Sequence, residues 1–168
     1  MLTEFGAITT PAVITSQMDL AARNRVGVQW WAYTAGDPTT AGPGTEQALV
    51  DDPARPPQGT NVESAKLALI AVPHPDRVAG TPSAYHHDRS RRVFTMTWTA
   101  QRPDGSSAEE SDETTVVVPA ISAPHGYDVQ ASGAHVTSHP GDRVARLHLN
   151  QGSATAKVTI CLLYTSDA

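Results

Sequence analysis

The sequence predicts an α/β part followed by an all-β sandwich, and three observations predict it. Two short apolar runs, Leu2-Thr3-Glu4-Phe5-Gly6-Ala7 and Gly27-Val28-Gln29-Trp30-Trp31-Ala32-Tyr33-Thr34, flank a stretch with helical spacing. From Val93 onward the apolar residues recur at every second position, in short runs separated by turn residues. Between these patterns, Pro73 and Pro75 stop the last helical stretch.

The first run is a short strand that carries one carboxylate, Glu4. Thr10 and Pro11 then open a helix, since Thr is a capping residue and Pro suits the first helical position. Ile14, Met18 and Ala22 recur on one face, with Leu20 and Ala21 widening the stripe. Arg23 and Arg25 fall in the last turn, where cations suit the helix dipole, and Asn24 with Gly27 marks the exit. Val28–Thr34 reads as a second strand. A Pro/Gly/Thr-rich loop follows from Ala35 to Thr60, longer than most connections and therefore a candidate functional loop. Asn61 is positioned to cap a second helix over 62–72. Residues 76–83 read as a connector containing Gly80-Thr81-Pro82, and Arg89, Arg91 and Arg92 read as surface residues or a contact between the two parts.

In the β part, Phe94, Met96 and Trp98 alternate with Thr95, Thr97 and Thr99, the mark of a half-buried strand. Arg102-Pro103-Asp104-Gly105 starts a turn. Further strands are predicted at 113–118, 127–132, 144–149 and 154–160. In the last, Ala156, Val158 and Ile160 share a face. Short strands with turns between them indicate a β-sandwich.

Composition narrows the function. A chain of 168 residues with net charge −5 presents no basic face, so nucleic acid is not an expected partner. No apolar run approaches the roughly 20 residues of a membrane helix, and the start lacks the pattern of a secretory signal. One Cys excludes an internal disulfide and a cysteine-rich zinc site. It lies in Cys161-Leu162-Leu163-Tyr164-Thr165-Ser166-Asp167-Ala168, which matches in one reading frame the translation of a transposon adapter used in sequencing libraries. These last residues are therefore expected to be foreign. Seven His residues do not make a metal site on this reading. His86 and His87 are adjacent and diverge, and His135 and His139 are about 13 Å apart if on one strand. The acidic run Glu109–Glu113 lacks calcium-loop spacing and reads as a solvated hairpin. There is no Gly-rich phosphate loop and no Gly-x-Ser-x-Gly elbow.

Strand, helix, strand is the unit of a (β/α) barrel, in which chemistry sits at the carboxyl ends of the strands. Thr3-Glu4-Phe5-Gly6-Ala7, a helix, and then Gly27-x-x-x-Trp31-Ala32-Tyr33-Thr34 resemble the last two barrel units of glycoside hydrolase family 5. Asp37-Pro38-Thr39-Thr40, Asp52-Pro53-Ala54-Arg55-Pro56-Pro57 and Val78-Ala79-Gly80-Thr81-Pro82 are similar to the endoglycosylceramidase-like branch. The resemblance runs to about Ile160. It implies a C-terminal piece of a larger enzyme: residues 1–75 close a (β/α)₈ barrel, and 84–160 form the family's immunoglobulin-like sandwich, packed on the barrel. A whole barrel needs at least about 200 residues, so most of it would lie outside this chain.

The resemblance also assigns residues. Glu4 matches the family's nucleophile. A retaining glycosidase uses two carboxyl groups roughly 5–5.5 Å apart, one as nucleophile and one as acid/base. The family's acid/base Glu follows an Asn on the fourth barrel strand, and no such strand occurs here, so this chain alone is expected to be inactive. Trp31 matches the aromatic floor of the sugar site, for which a rigid ring face is suited. Neighbouring Trp30 must face the other way and reads as a core residue. Tyr33, on Trp31's side, could extend the wall. Asp37, Thr39, Thr40, Glu46 and Gln47 could bind sugar hydroxyls, although such residues more often hold a loop's own turns. The implied substrate is a β-glycoside, carbohydrate or glycolipid, and the chemistry requires no metal or organic cofactor. The alternative is a non-catalytic sandwich that packs on a barrel or binds carbohydrate. With Trp98 in the core and only Tyr85 and Tyr127 besides, the sandwich offers little aromatic surface for sugar.

Overall fold

The computed structural model describes residues 2–6, 10–34 and 48–164. The chain divides into two compact units, Met1–Ala71 and Val72–Ala168.

In the first unit, strand β1 (Leu2–Phe5) runs parallel to β2 (Val28–Trp30), with helix α1 (Pro11–Asn24) between them in sequence. Pro11 takes the first helical position as expected, but the Thr10 hydroxyl makes no capping bond. Ile14 and Ala21 are the buried residues of α1, whereas Leu20, expected in the apolar stripe, is exposed. The helix exits at Arg25 in the left-handed conformation (φ 53°), two residues before the anticipated glycine. Asn24 helps to close it, donating from Nδ2 to the Leu20 carbonyl at 2.8 Å. β2 stops at Trp30 rather than Thr34; Thr34 makes only an isolated parallel bridge with Val50. The second helix, α2 (Ser64–Ile70), is shorter than predicted. Asn61 is not its cap but the last residue of a 3₁₀ turn, Gly59–Asn61.

The second unit is a sandwich of two four-stranded antiparallel sheets. Its strands are β3 (His74–Arg77), β4 (Thr81–Asp88), β5 (Val93–Thr99), β6 (Glu113–Val117), β7 (Tyr127–Ser132), β8 (Ala134–Val136), β9 (Val144–Leu149) and β10 (Thr155–Leu162). One sheet has the order β4-β5-β10-β7 and the other β3-β6-β9-β8. The layering is that of an immunoglobulin-like sandwich, but the connectivity is not. The last strand, β10, lies inside its sheet between β5 and β7, whereas the immunoglobulin order leaves its last strand at an edge.

The core forms between the sheets from the alternating residues: Phe94, Met96 and Trp98 of β5 meet Ala156, Val158, Ile160 and Leu162 of β10 and Ala145, Leu147 and Leu149 of β9. Fully burying each large member contributes about 1.5–3 kcal/mol. Cys161 and Leu162, within the stretch read as foreign, complete β10, with Cys161 opposite Val93 and Leu162 opposite Tyr127.

Residues 76–83, expected as a connector, belong largely to the sheets. Pro75 sits in β3 and Pro82 in β4. Both strands are sheet edges, where a residue without an N–H is tolerated. The irregular pairing near Pro75 is made good by side chains: Thr115 Oγ1 accepts from the Arg77 N–H at 3.1 Å, and Thr114 Oγ1 accepts from the Ala79 N–H at 2.9 Å. Gly80 (φ 115°) turns the chain into β4 so tightly that a Cβ there would lie 1.9 Å from the Thr99 carbonyl oxygen. The acidic stretch is less free than a solvated hairpin: Asp112 pairs with Arg102, and Glu113 with Arg146 at 2.5 Å. Arg92, in the left-handed conformation, donates to the Leu163 carbonyl at 3.1 Å and lies over the Tyr164 ring.

Candidate active site

The candidate site is built on the carboxyl ends of β1 and β2. Leu2 pairs with Val28 and Phe5 with Trp30. The advance from residue 2 to 5 on one strand thus matches 28 to 30 on the other, and the extra residue makes a bulge at Thr3–Glu4. Bulges bend a strand locally and are over-represented beside active sites. Glu4 precedes Phe5, whose carbonyl accepts the Trp31 N–H at 2.8 Å. The backbone therefore brings Glu4 and Trp31 to adjacent ends of parallel strands.

The two tryptophans differ in their surroundings. Trp30 meets the Phe5 ring edge-on, with centroids 5.2 Å apart and planes at 85°. It also covers Gly6, where a Cβ would fall 2.5 Å from the indole. Gly6 is needed there twice over, for its φ of 113° and for the close ring. Trp31 is half-buried, and the Trp31–Ala32 peptide is cis. Tyr33 is 61% exposed, while its carbonyl accepts from Val50 N at 2.8 Å and Leu49 N at 3.2 Å.

The segment that returns beside residues 32–34 is held by a residue whose role the sequence concealed. Asn61, 2% exposed, accepts from the Asp52 N–H at 2.8 Å through Oδ1. Its Nδ2 donates to the carbonyls of Asp52 (3.0 Å), Pro56 (3.0 Å) and Arg55 (3.3 Å). One buried amide thus ties the 52–56 turn to the 3₁₀ turn. The Glu63 N–H donates to the Leu49 carbonyl at 2.9 Å, and Lys66 Nζ to the Ala48 carbonyl at 3.3 Å, fixing the start of the returning segment. Asp37, Thr39, Thr40, Glu46 and Gln47 lie outside the described residues.

This geometry sets a carboxylate-bearing strand position beside a strand ending in aromatic residues. Among the described residues, no group of three or more His, Cys, Asp or Glu side chains is arranged to hold a metal ion, and no helix is long and apolar enough to cross a membrane.

A two-sheet β unit preceded by a parallel strand–helix–strand unit narrows the class to multi-part proteins that combine an α/β element with a β-sandwich. The chain belongs to glycoside hydrolase family 5: residues 73–161 match the glycoside hydrolase family 5 C-terminal domain. Its fold is similar to that of endo-glycoceramidase II from Rhodococcus sp. as a lactosyl-enzyme intermediate, with a TM-score of 0.66 and 23% identity over 97% of this chain and 33% of that one. The ganglioside GM3 complex of the same enzyme gives 0.65 and 21% over 96% and 31%. Sterylglucosidase 1 from Cryptococcus neoformans gives 0.66 and 14% over 91% and 24%. At these identities the likeness describes the fold, and the chain spans a third or less of the length of these structures. No curated protein matches the sequence.

Proposed function

We propose that this chain is the C-terminal part of a retaining β-glycosidase, in which Met1–Ala71 supplies the last strands of a (β/α)₈ barrel. The observation that carries this reading is the parallel β1–β2 pair, with Glu4 at a bulge and Trp31 just past the neighbouring strand end. Active sites of such barrels collect at the carboxyl ends of strands. Family membership makes glycoside hydrolysis the chemistry to ask of that position.

In this reading Glu4 attacks the anomeric carbon and forms a glycosyl-enzyme. A second carboxylic acid protonates the departing oxygen and then, as its carboxylate, activates the water that releases the sugar. Trp31 forms the floor under the sugar ring and Tyr33 extends the wall. None of the chain's other carboxylates matches the family's acid/base position, so the chain by itself is expected to be inactive. The substrate class is a β-glycoside with an apolar aglycone. Support for that choice comes from the similar structures, one named for glycoceramides and the other for steryl glucosides.

A second reading has its own support: the family match falls on 73–161, in the second unit. Taken alone, that unit is a non-catalytic module. The experiment that separates the two uses the longer enzyme that contains this chain. Glu4→Gln is expected to lose at least about 10³-fold in turnover of an aryl β-glucoside while its melting temperature is kept, because no other group can take the nucleophile's place. Unchanged turnover removes Glu4 from the role.

A further inference from the structure

The sandwich carries a groove of about 420 Å³ at one end, between the connection from β5 to β6 and the connection from β9 to β10. Both connections cross from one sheet to the other. The volume falls within the roughly 300–1,000 Å³ of small-molecule sites. Backbone bonds fix its frame. The Ala100 N–H donates to the Ala154 carbonyl at 2.9 Å, the Ala108 N–H to the Ala100 carbonyl at 2.7 Å, and the Ser153 N–H to the Asn150 carbonyl at 3.0 Å. Ala100 belongs to the core and Ala108 packs against it, so the groove has an apolar floor.

Its walls are polar. Ser107, Glu110, Asn150 and Gln151 line it, and all four are exposed. Histidines of β8 and β9 hold two of them. His148 Nδ1 lies 3.2 Å from the Glu110 carbonyl oxygen, and His135 Nδ1 lies 3.0 Å from Asn150 Oδ1. Both oxygens only accept, so each Nδ1 donates. The Asn150 Nδ2 hydrogens then remain for a ligand. The turn that carries Glu110 is tied further: Asp112 accepts from the Glu109 N–H at 2.7 Å and pairs with Arg102. Among the described residues the Glu110 carboxylate has no ion-pair partner.

These groups select a class of ligand. One carboxylate and neither Lys nor Arg line the groove, which disfavours an anion. A carboxylate can accept from two neighbouring hydroxyls, a carboxamide both donates and accepts, and so does a serine hydroxyl. Above an apolar floor, that set suits a neutral ring with vicinal hydroxyls. We propose that this groove binds a neutral sugar unit, with Glu110 accepting from its hydroxyls and the Asn150 and Gln151 amides donating to its oxygens. No aromatic side chain lines the groove. Binding therefore rests on hydrogen bonds of small net gain, and a dissociation constant on the order of 1–10 mM is expected. The proposal gives a ligand to the second unit, read above as a non-catalytic module. Every lining residue lies in that unit, so the proposal stands or falls apart from the role of Glu4.

The test is a titration of the isotope-labelled 168-residue chain with lactose and, separately, with cellobiose, followed by amide chemical shifts. Amides of 107–110 and 150–153 should move saturably with at least one of them, while those of the 89–92 turn stay in place. Glu110→Ala should weaken binding by about tenfold or more and Gln151→Ala by about threefold, for the loss of a charged and of a neutral hydrogen-bonding group. Gln130→Ala, on the outer face of the other sheet, should leave binding unchanged. Glu110 and Gln151 are exposed, so both variants should keep the fold, checked by unmoved amides in β5 and β10. The proposal is overturned if neither sugar moves the 107–110 and 150–153 amides saturably, or if Glu110→Ala and Gln151→Ala bind as the wild type does.

Discussion

The two units of this chain solve the burial problem differently. The sandwich closes on itself: each sheet hides one face against the other, and the alternating residues of β5, β9 and β10 make a single core. Among its described residues the first unit pairs two parallel strands, and the buried apolar residues described there include Phe5, Ile14, Ala21, Ala48 and Val50. Parallel sheets are stable when further strands flank them and helices cover both faces. A two-stranded parallel pair presents edges that can pair with more strands. The contrast teaches that the sandwich buries its apolar face within itself, whereas the described part of the first unit buries much less.

The contrast can be broken most sharply by hydrogen exchange and limited proteolysis of the 168-residue chain. Amides of β5, β9 and β10 should exchange on the order of hours, and those of β1 and β2 on the order of minutes or faster. Equal protection of both units would overturn it. Next in size is Trp98→Ala, which empties a fully buried site of the core. It should cost about 3–5 kcal/mol in the sandwich, read as a lower denaturant midpoint for the β signal with β1–β2 exchange unchanged. Asn61→Ala should cost about 1–3 kcal/mol, since it leaves buried backbone groups without partners. Its effect should be confined to faster cleavage within 48–63, with the sandwich transition unmoved.

The smallest effect is on pH. The Tyr127 hydroxyl donates to the Asp142 carbonyl. Burial, and then the negative charge of Asp142, raise its pKa above the usual 10.0. The folded state therefore holds this proton more tightly than the unfolded chain. The stabilisation is complete below pH 10 and is lost as pH rises through the raised value. Melting temperatures should fall along that limb, and Tyr127→Phe should flatten the fall. At the acid end, Asp88 is lowered below 3.8, first by the Ser90 hydroxyl and then by the Arg91 N–H. Its small contribution to the 88–91 turn is present above 3.8 and fades as pH falls through the lowered value.

How much of this was legible in the sequence depends on where a strand sits. The central strands β5, β6, β9 and β10, and edge strand β7, could be read from their apolar alternation, because their inward residues must be buried. The three missed strands, β3, β4 and β8, are all sheet edges. Pro75 and Pro82 disguised the first two as a connector, and β8 is only three residues long. Asn61 looked like a helix cap because its type and place suited one. Its true partners, the backbone of 52–56, become visible only when the loop is folded. Glu4, Trp31 and Tyr33 can be named from the sequence only as candidates, while the bulge at Thr3–Glu4 depends on register.

The most direct test of the account is to trap the nucleophile. A 2-fluoro-glycoside with a reactive leaving group, offered to the longer enzyme and to this chain alone, would leave its sugar on the attacking carboxylate. The account predicts a glycosyl adduct on Glu4 in the longer enzyme and none on the isolated chain, in which no residue matches the family's acid/base. An adduct on any other residue of the longer enzyme would contradict it.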